Sequence, residues 1–270
     1  MTAVSERAQP ERALPVQGSS IARDTWTIFA RAMRLSLRNP AWVVIGLSQP
    51  VLYIVLFGPL LKPLSGQLGA AGNAYQIFVP GILVQVGMFG ALFVGFGLIA
   101  EWRAGVVESQ RVTPASRTAL LLGRVLRDVV VLVVQGTVLV LVSLAFGLRA
   151  PVGGVLLTLL VVALLGAALS AVSYAMALTL KSEDAFAPLL NAVVFPILLL
   201  SGILLPMSLA PGWLQDLSDV NPFKHIVEGA RSFFAGNYGS STAWWGLGLT
   251  VALAVLGWWF GVRRFRRESS

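Results

Sequence analysis

The chain has no cysteine, one histidine (His225) and little charge: its 270 residues include 12 acidic and 20 basic side chains. Without cysteine there is no disulfide, no thiolate metal site and no cysteine nucleophile, and a lone histidine supplies neither a metal pair nor a proton relay. Charged residues are 12% of the sequence, against about 25% in an ordinary soluble globule. So few charges cannot clothe a protein of this size in water, which excludes a soluble enzyme. What is abundant is hydrocarbon: 56% of residues are hydrophobic and the mean hydropathy is +0.79. Lipid is therefore the expected solvent for most of the surface.

A transmembrane helix needs roughly 20 mostly apolar residues. Six stretches free of Asp, Glu, Lys and Arg meet that demand: 41–61, 76–100, 129–148, 153–180, 185–206 and 243–262. Runs such as VVVLVVQGTVLVLVSLAFGL show no alternation of apolar and polar residues, which excludes a transmembrane β-barrel. The expected fold class is an all-α integral membrane protein of six spans within 40–262. Residues 1–20 are polar and lack an apolar core of signal-peptide length, so they read as a disordered cytoplasmic tail, and 263–270 as a basic cytoplasmic tail. With both termini cytoplasmic, 16 of the 20 basic residues fall inside, and only Lys62, Arg149, Lys224 and Arg231 fall outside, as short cytoplasmic loops require. This topology, with attraction to anionic lipid headgroups, accounts for the net charge of +8 and leaves no call for nucleic acid as a partner.

Two segments outside the spans are amphipathic. On a helical wheel, 21–39 gathers Ala22, Trp26, Phe29, Met33 and Leu37 on one arc and Arg23, Thr27, Arg31, Arg34 and Arg38 on the next. The pattern predicts a helix in the inner interface, serving as an anchor or as a transmitter of movement. Near the other end of the chain, Asn221 can cap a helix that has Pro222 at its first position and Gly236 beyond its last. Phe223, Ile226, Val227, Ala230, Phe233 and Phe234 line one side, and Lys224, His225, Glu228 and Arg231 the other. This helix is expected to dip into the outer leaflet, with Lys224 and Glu228 paired and His225 at the surface.

The loop from Glu101 to Arg124, EWRAGVVESQRVTPASRTALLLGR, is too polar for hydrocarbon, and Thr113-Pro114 stops any helix within it. On spacing alone it is either a solvated connector or a short helix offered to a partner. The string Glu101, Gly105, Glu108, Thr113, Pro114 and Ser116, followed by LLLGR at 120–124, resembles the cytoplasmic loop of ABC type-2 transporter permeases, in the daunorubicin-resistance membrane-protein branch. NPFKHIVEGARSFFAG, 221–236, resembles the segment those permeases carry before their last span, and the order of six spans matches along the whole chain. Trp102, Ser109 and Gln110 depart from the residues common in relatives. The resemblance implies a coupling surface of Glu101, Arg103, Gly105, Glu108, Thr113, Pro114, Ser116 and Arg117, docked on a separate ABC ATPase subunit. It also implies an outer gate helix marked by Asn221, Pro222, Phe223 and Arg231, a second permease copy in a 2+2 assembly, and a bacterial plasma-membrane location. ATP and Mg would be bound by the partner and no cofactor by this chain. Consistently, none of Lys62, Lys181 and Lys224 follows a glycine, so there is no phosphate-cradling P-loop.

Small residues four apart, Gly87/Ala91/Gly95 and Ala163/Ala167/Ala171/Ala175, mark expected helix contacts. Pro188, Pro196, Ser201 and Gly202 make the fifth span bendable. No ionisable residue lies mid-span, which argues against ion-coupled carriage. An uncharged lining of Gln85, Met88, Phe89 and Phe93 on the second span, with Asn191, Phe195 and Leu199 on the fifth, suits a hydrophobic or amphiphilic cargo. The expected function is ATP-driven export of such a compound. The alternatives are export of a lipid or lipid-linked polysaccharide, and a membrane lipid-modifying enzyme, for which Glu183-Asp184 is the nearest acidic cluster.

Overall fold

A computed structural model describes residues 20–39, 41–61, 63, 74–105, 116–204 and 206–268. Among them the regular structure is helical, and six helices are long and apolar enough to cross a membrane. In chain order the elements are α1 (Ile21–Arg38), α2 (Ala41–Leu61), α3 (Tyr75–Leu92), α4 (Val94–Arg103), α5 (Arg117–Ala145), α6 (Val152–Leu180), α7 (Glu183–Leu200), a 3-10 turn (Met207–Leu209), α8 (Gly212–Asp219), α9 (Pro222–Phe234) and α10 (Ser241–Glu268), the six spans being α2, α3 with α4, α5, α6, α7 and α10.

Local chemistry sets the helix starts. The side chains of Ser20, Ser116 and Asn221 accept from the amides of Arg23, Ala119 and Phe223, filling donors that a first turn leaves open. The α9 helix begins and ends where the sequence predicts, with Pro222 at its first position and Gly236 beyond it at φ 77°.

Elsewhere the boundaries move. The second span is two helices meeting at Phe93. The third span starts at Arg117, ahead of the uncharged run, and its Arg124, Arg127 and Asp128 find partners within the protein. The fifth ends at Leu200 instead of 206, where Ser201–Leu204 turn and Gly202 takes φ 69°. The expected basic tail is helical to Glu268.

The α6 helix is central, packed on α3, α4, α5, α9 and α10. Small residues set these approaches, as expected in lipid. A Cβ added at Gly87 would lie 3.4 Å from Val162, and one at Gly261 2.7 Å from Ala171. Gly257 and Gly261, four apart on α10, meet Ala168 and Ala171 on α6. The α2 and α7 helices lie at the margin and leave most of their side chains exposed.

Of the two amphipathic helices, the first forms as expected in 21–38 and gains a protein contact, and the second needs correction. The α1 helix packs along α5, where Ile28 drops against Gly123. The contact centres on Ile28, so the expected apolar arc divides: Phe29 and Met33 are half-buried, whereas Trp26 and Leu37 are 65% and 71% exposed. The α9 helix inserts between α3, α6 and α10 and buries all six of its expected apolar residues in protein. Its Gly229 crosses Gly246 of α10 so closely that an added Cβ would sit 3.1 Å from the Gly246 Cα.

Candidate coupling site

The two ends of the loop that carries the sequence motif are tied together. Glu101, on the last turn of α4, makes a 2.5 Å ion pair with Arg124 of α5. The α4 helix stops through Gly105, whose φ of 73° is the left-handed geometry that glycine adopts at low cost after a helix end. Arg103 forms a 3.4 Å ion pair with Glu183 at the start of α7. Trp102, one of the departures from the family pattern, lies beneath Lys181, whose Nζ is 5.6 Å from the ring centroid. The expected loop therefore contracts. Glu101, Arg103, Arg117 and Arg124 belong to helices, Gly105 and Ser116 bound the connection, and Glu108, Thr113 and Pro114 lie outside the described residues.

One turn further along α5, Asp128 is buried and doubly held. Its Oδ1 is 3.1 Å from Arg127 Nε, and its Oδ2 accepts from the Tyr174 hydroxyl of α6 at 2.6 Å. Arg127 also donates to Ser36 Oγ of α1 at 3.4 Å. A carboxylate this deep persists only when paired and hydrogen-bonded, which explains why three helices converge on it. The sequence places Asp128 beside Arg124 and Arg127 but misses Tyr174 and Ser36. The available signal for Tyr174 is a hydroxyl among apolar neighbours, which needs a partner.

At the opposite end, the residues of the expected outer helix perform a different task. Arg231 is half-buried and donates from Nε to Ile77 O (2.9 Å) and from its terminal nitrogen to Gly202 O (2.7 Å) and Ile203 O (3.2 Å). Burial pushes its guanidinium down to about 10, so it stays charged at neutral pH. Asn221 Nδ2 donates to Ile197 O at 2.8 Å. Asn221 and Arg231 thus satisfy carbonyls freed where the fifth span stops, as low-dielectric surroundings demand. The expectation of Lys224 and Arg231 on a polar outer face is corrected, since Lys224 is buried and the half-buried Arg231 is spent on backbone carbonyls. Lys224 bonds to Asp219, whose carboxyl it holds below the usual range, with Glu228 at 4.0 Å. His225 contacts the Asp219 carbonyl at 3.0 Å.

The seven expected lining residues fall in two places. Gln85 and Met88 are buried inside the bundle, and Phe89 is half-buried. Phe93, Asn191, Phe195 and Leu199 are exposed on its flank. Within a single chain they do not surround one cavity.

A sequence model of the ABC-2 type transporter family matches residues 23–235. The chain is 27% identical over 257 residues to the daunorubicin resistance ABC transporter permease protein DrrB1 of Streptomyces coeruleorubidus, covering 94% of this chain and 86% of that protein. It is 29% identical to a putative transport permease, ycf38, of Porphyra purpurea, covering 77% of this chain and 70% of the other. It is 25% identical to the probable doxorubicin resistance permease protein DrrC of Mycobacterium tuberculosis, covering 69% and 68%.

Proposed function

The chain belongs to the ABC-2 type transporter family, and we propose that it moves a hydrophobic or amphiphilic drug-like compound out of the cell. It is the permease subunit, a multi-pass membrane protein whose ATP is hydrolysed by a separate nucleotide-binding subunit. We assign it to a bacterial plasma membrane with both termini and the Glu101–Arg117 loop cytoplasmic, in an assembly of two permeases and two ATPases. The names of two relatives, tied to daunorubicin and doxorubicin resistance, support a drug as cargo. The uncharged flank bearing Phe93, Asn191, Phe195 and Leu199 supports an apolar path, completed by the second copy.

The observation that carries this reading is the clamp at the loop. Because Glu101 is paired with Arg124, and Arg103 with Glu183, a force on the loop reaches α4, α5 and α7 together. Arg127 and Asp128 extend the reach to α1 and α6. ATP binding in the partner would push the loop, displace the second and fifth spans, and release cargo past α9, where Asn221 and Arg231 hold the end of the fifth.

The test is co-purification of the ATPase subunit and ATP-dependent efflux of a hydrophobic dye for two variants. Gly105→Pro forbids the positive φ that ends α4, and Glu108→Arg reverses a charge in the loop motif. Both are expected to lose coupling while remaining in the membrane. Undiminished efflux in both contradicts the assignment.

A further inference from the structure

The second span breaks at Phe93 with neither proline nor glycine there. The Phe96 amide turns back to Phe93 O at 3.2 Å, an i to i+3 bond that leaves Leu92 O without its helical donor. A single hydroxyl from another helix fills the gap. Ser173 of α6, wholly buried, donates to Leu92 O at 2.5 Å and accepts from the Gly95 amide at 3.0 Å. An inserted side chain of this kind is an established cause of helix kinks, and in lipid the freed groups need such a partner. Gly95 makes room for it: an added Cβ would lie 2.7 Å from Ser173 Oγ and 2.5 Å from Phe186.

The surroundings suit a joint. Phe89, Phe93 and Phe96 stack across the break with centroids 5.8 and 5.6 Å apart, and Phe96 meets Phe186 of α7 edge-on at 4.9 Å. Stacked rings can slide with little loss of contact, because their attraction varies gently with offset. Beyond the break, α4 is a short rod that ends at Glu101 and Arg103, the residues clamped at the loop.

We propose that Ser173 is a positioning residue that sets a hinge at Phe93, so that force from the loop bends α4 against α3 instead of tilting the span as one rod. The proposal rests on the coupling reading above and adds the point at which the span yields. A bend of about 15° at Phe93 carries Ala104, about 16 Å further along, by roughly 4 Å.

The absence of native cysteines makes spin-label pairs straightforward in the full complex with a cysteine-free ATPase subunit. One pair joins Ala104→Cys to Thr179→Cys, exposed near the end of α6 on the same side of the bundle, and the other joins Gln76→Cys on α3 to Val152→Cys at the start of α6, at the opposite end. Between ADP and a non-hydrolysable ATP analogue, the first distance is expected to change by roughly 4 Å and the second to hold. Ser173→Ala removes the wedge, freezes the first distance and cuts efflux per ATP by about tenfold, within the usual range of inter-site coupling. Ser173→Cys keeps a weaker donor and acceptor in nearly the same volume and restores intermediate efflux. If both distances change together in the unaltered chain, or Ser173→Ala moves and pumps normally, or Ser173→Cys is no better than Ser173→Ala, the hinge is overturned while coupling stands. If the ATPase fails to co-purify, or ATP changes neither distance in the unaltered chain, the coupling reading falls and the hinge with it.

Discussion

The Tyr174 hydroxyl donates a 2.6 Å hydrogen bond to the Asp128 carboxylate, joining the fourth span to the third at a depth where neither group reaches water. Tyr174→Phe keeps the ring and deletes the donor, leaving Asp128 with the adjacent Arg127 as its charged partner. Removing one partner from a buried carboxylate costs about 1–3 kcal/mol. The expected result is a lower melting temperature for the purified permease in detergent, with the helix content unchanged. An unaltered melting temperature would show that the bond contributes nothing.

Reversing a charge in the Glu101–Arg124 pair tests whether that contact transmits force. Glu101→Arg and Arg124→Glu each place like charges at a 2.5 Å contact, and each is expected to reduce ATP-dependent efflux severalfold. The double variant restores opposite charges and recovers much of the loss, as a coupled pair requires. Efflux measured in inverted vesicles checks this, and additive losses in the double variant would refute it.

Arg231 is expected to be the most sensitive residue of α9. Arg231→Met preserves bulk but strips donors from three backbone carbonyls, at a cost of about 3 kcal/mol or more. Arg231→Lys recovers part of the loss, because a point ammonium cannot fork toward carbonyls on two elements. Thermal unfolding of the three proteins should rank them Arg, Lys, Met. A Met variant as stable as the parent would contradict the clamp.

The glycines divide by their surroundings. Gly97 and Gly248 have open space where a Cβ would go, whereas Cβ atoms at Gly154 and Gly261 would strike the Phe233 carbonyl oxygen and Ala171. Alanine at the first two sites is expected to be neutral or to stabilise by about 0.5–1 kcal/mol through helix propensity. At the other two, overpacking costs about 1–3 kcal/mol. Melting temperatures of the four single variants decide the matter, and a destabilised Gly97→Ala beside a neutral Gly154→Ala would overturn the packing.

Much of the fold is legible in the sequence because lipid imposes a simple demand. Each uncharged run long enough to span the hydrocarbon coincides with one of the six helices, and Asn221-Pro222 with Gly236 marks α9 without error. The burial of α9 is not legible, since an apolar helix face reads the same whether lipid or protein covers it. The same ambiguity covers Gln85 and Met88, expected on a cargo path and buried within the single chain. Arg231 reads as a surface cation because its acceptors are carbonyls freed by a helix end 28 residues upstream. The break at Phe93 has glycine on either side, at 90 and 95, but none at the break itself, and Ser173, which holds it, lies 81 residues from the carbonyl it bonds. The Gly257/Gly261 spacing is a signal the sequence does offer, a small-residue repeat that points to the seam with α6.

The central claim is that an ATPase subunit grips this permease at the connection between the second and third spans. A photo-crosslinking amino acid placed at Ala104, exposed beside that connection, and another at Gly239, exposed at the opposite end, test it in membranes that contain both subunits. Ala104 is predicted to give a crosslink to the ATPase and Gly239 none. A crosslink from Gly239, or silence from Ala104 in a complex that still transports, would contradict the account.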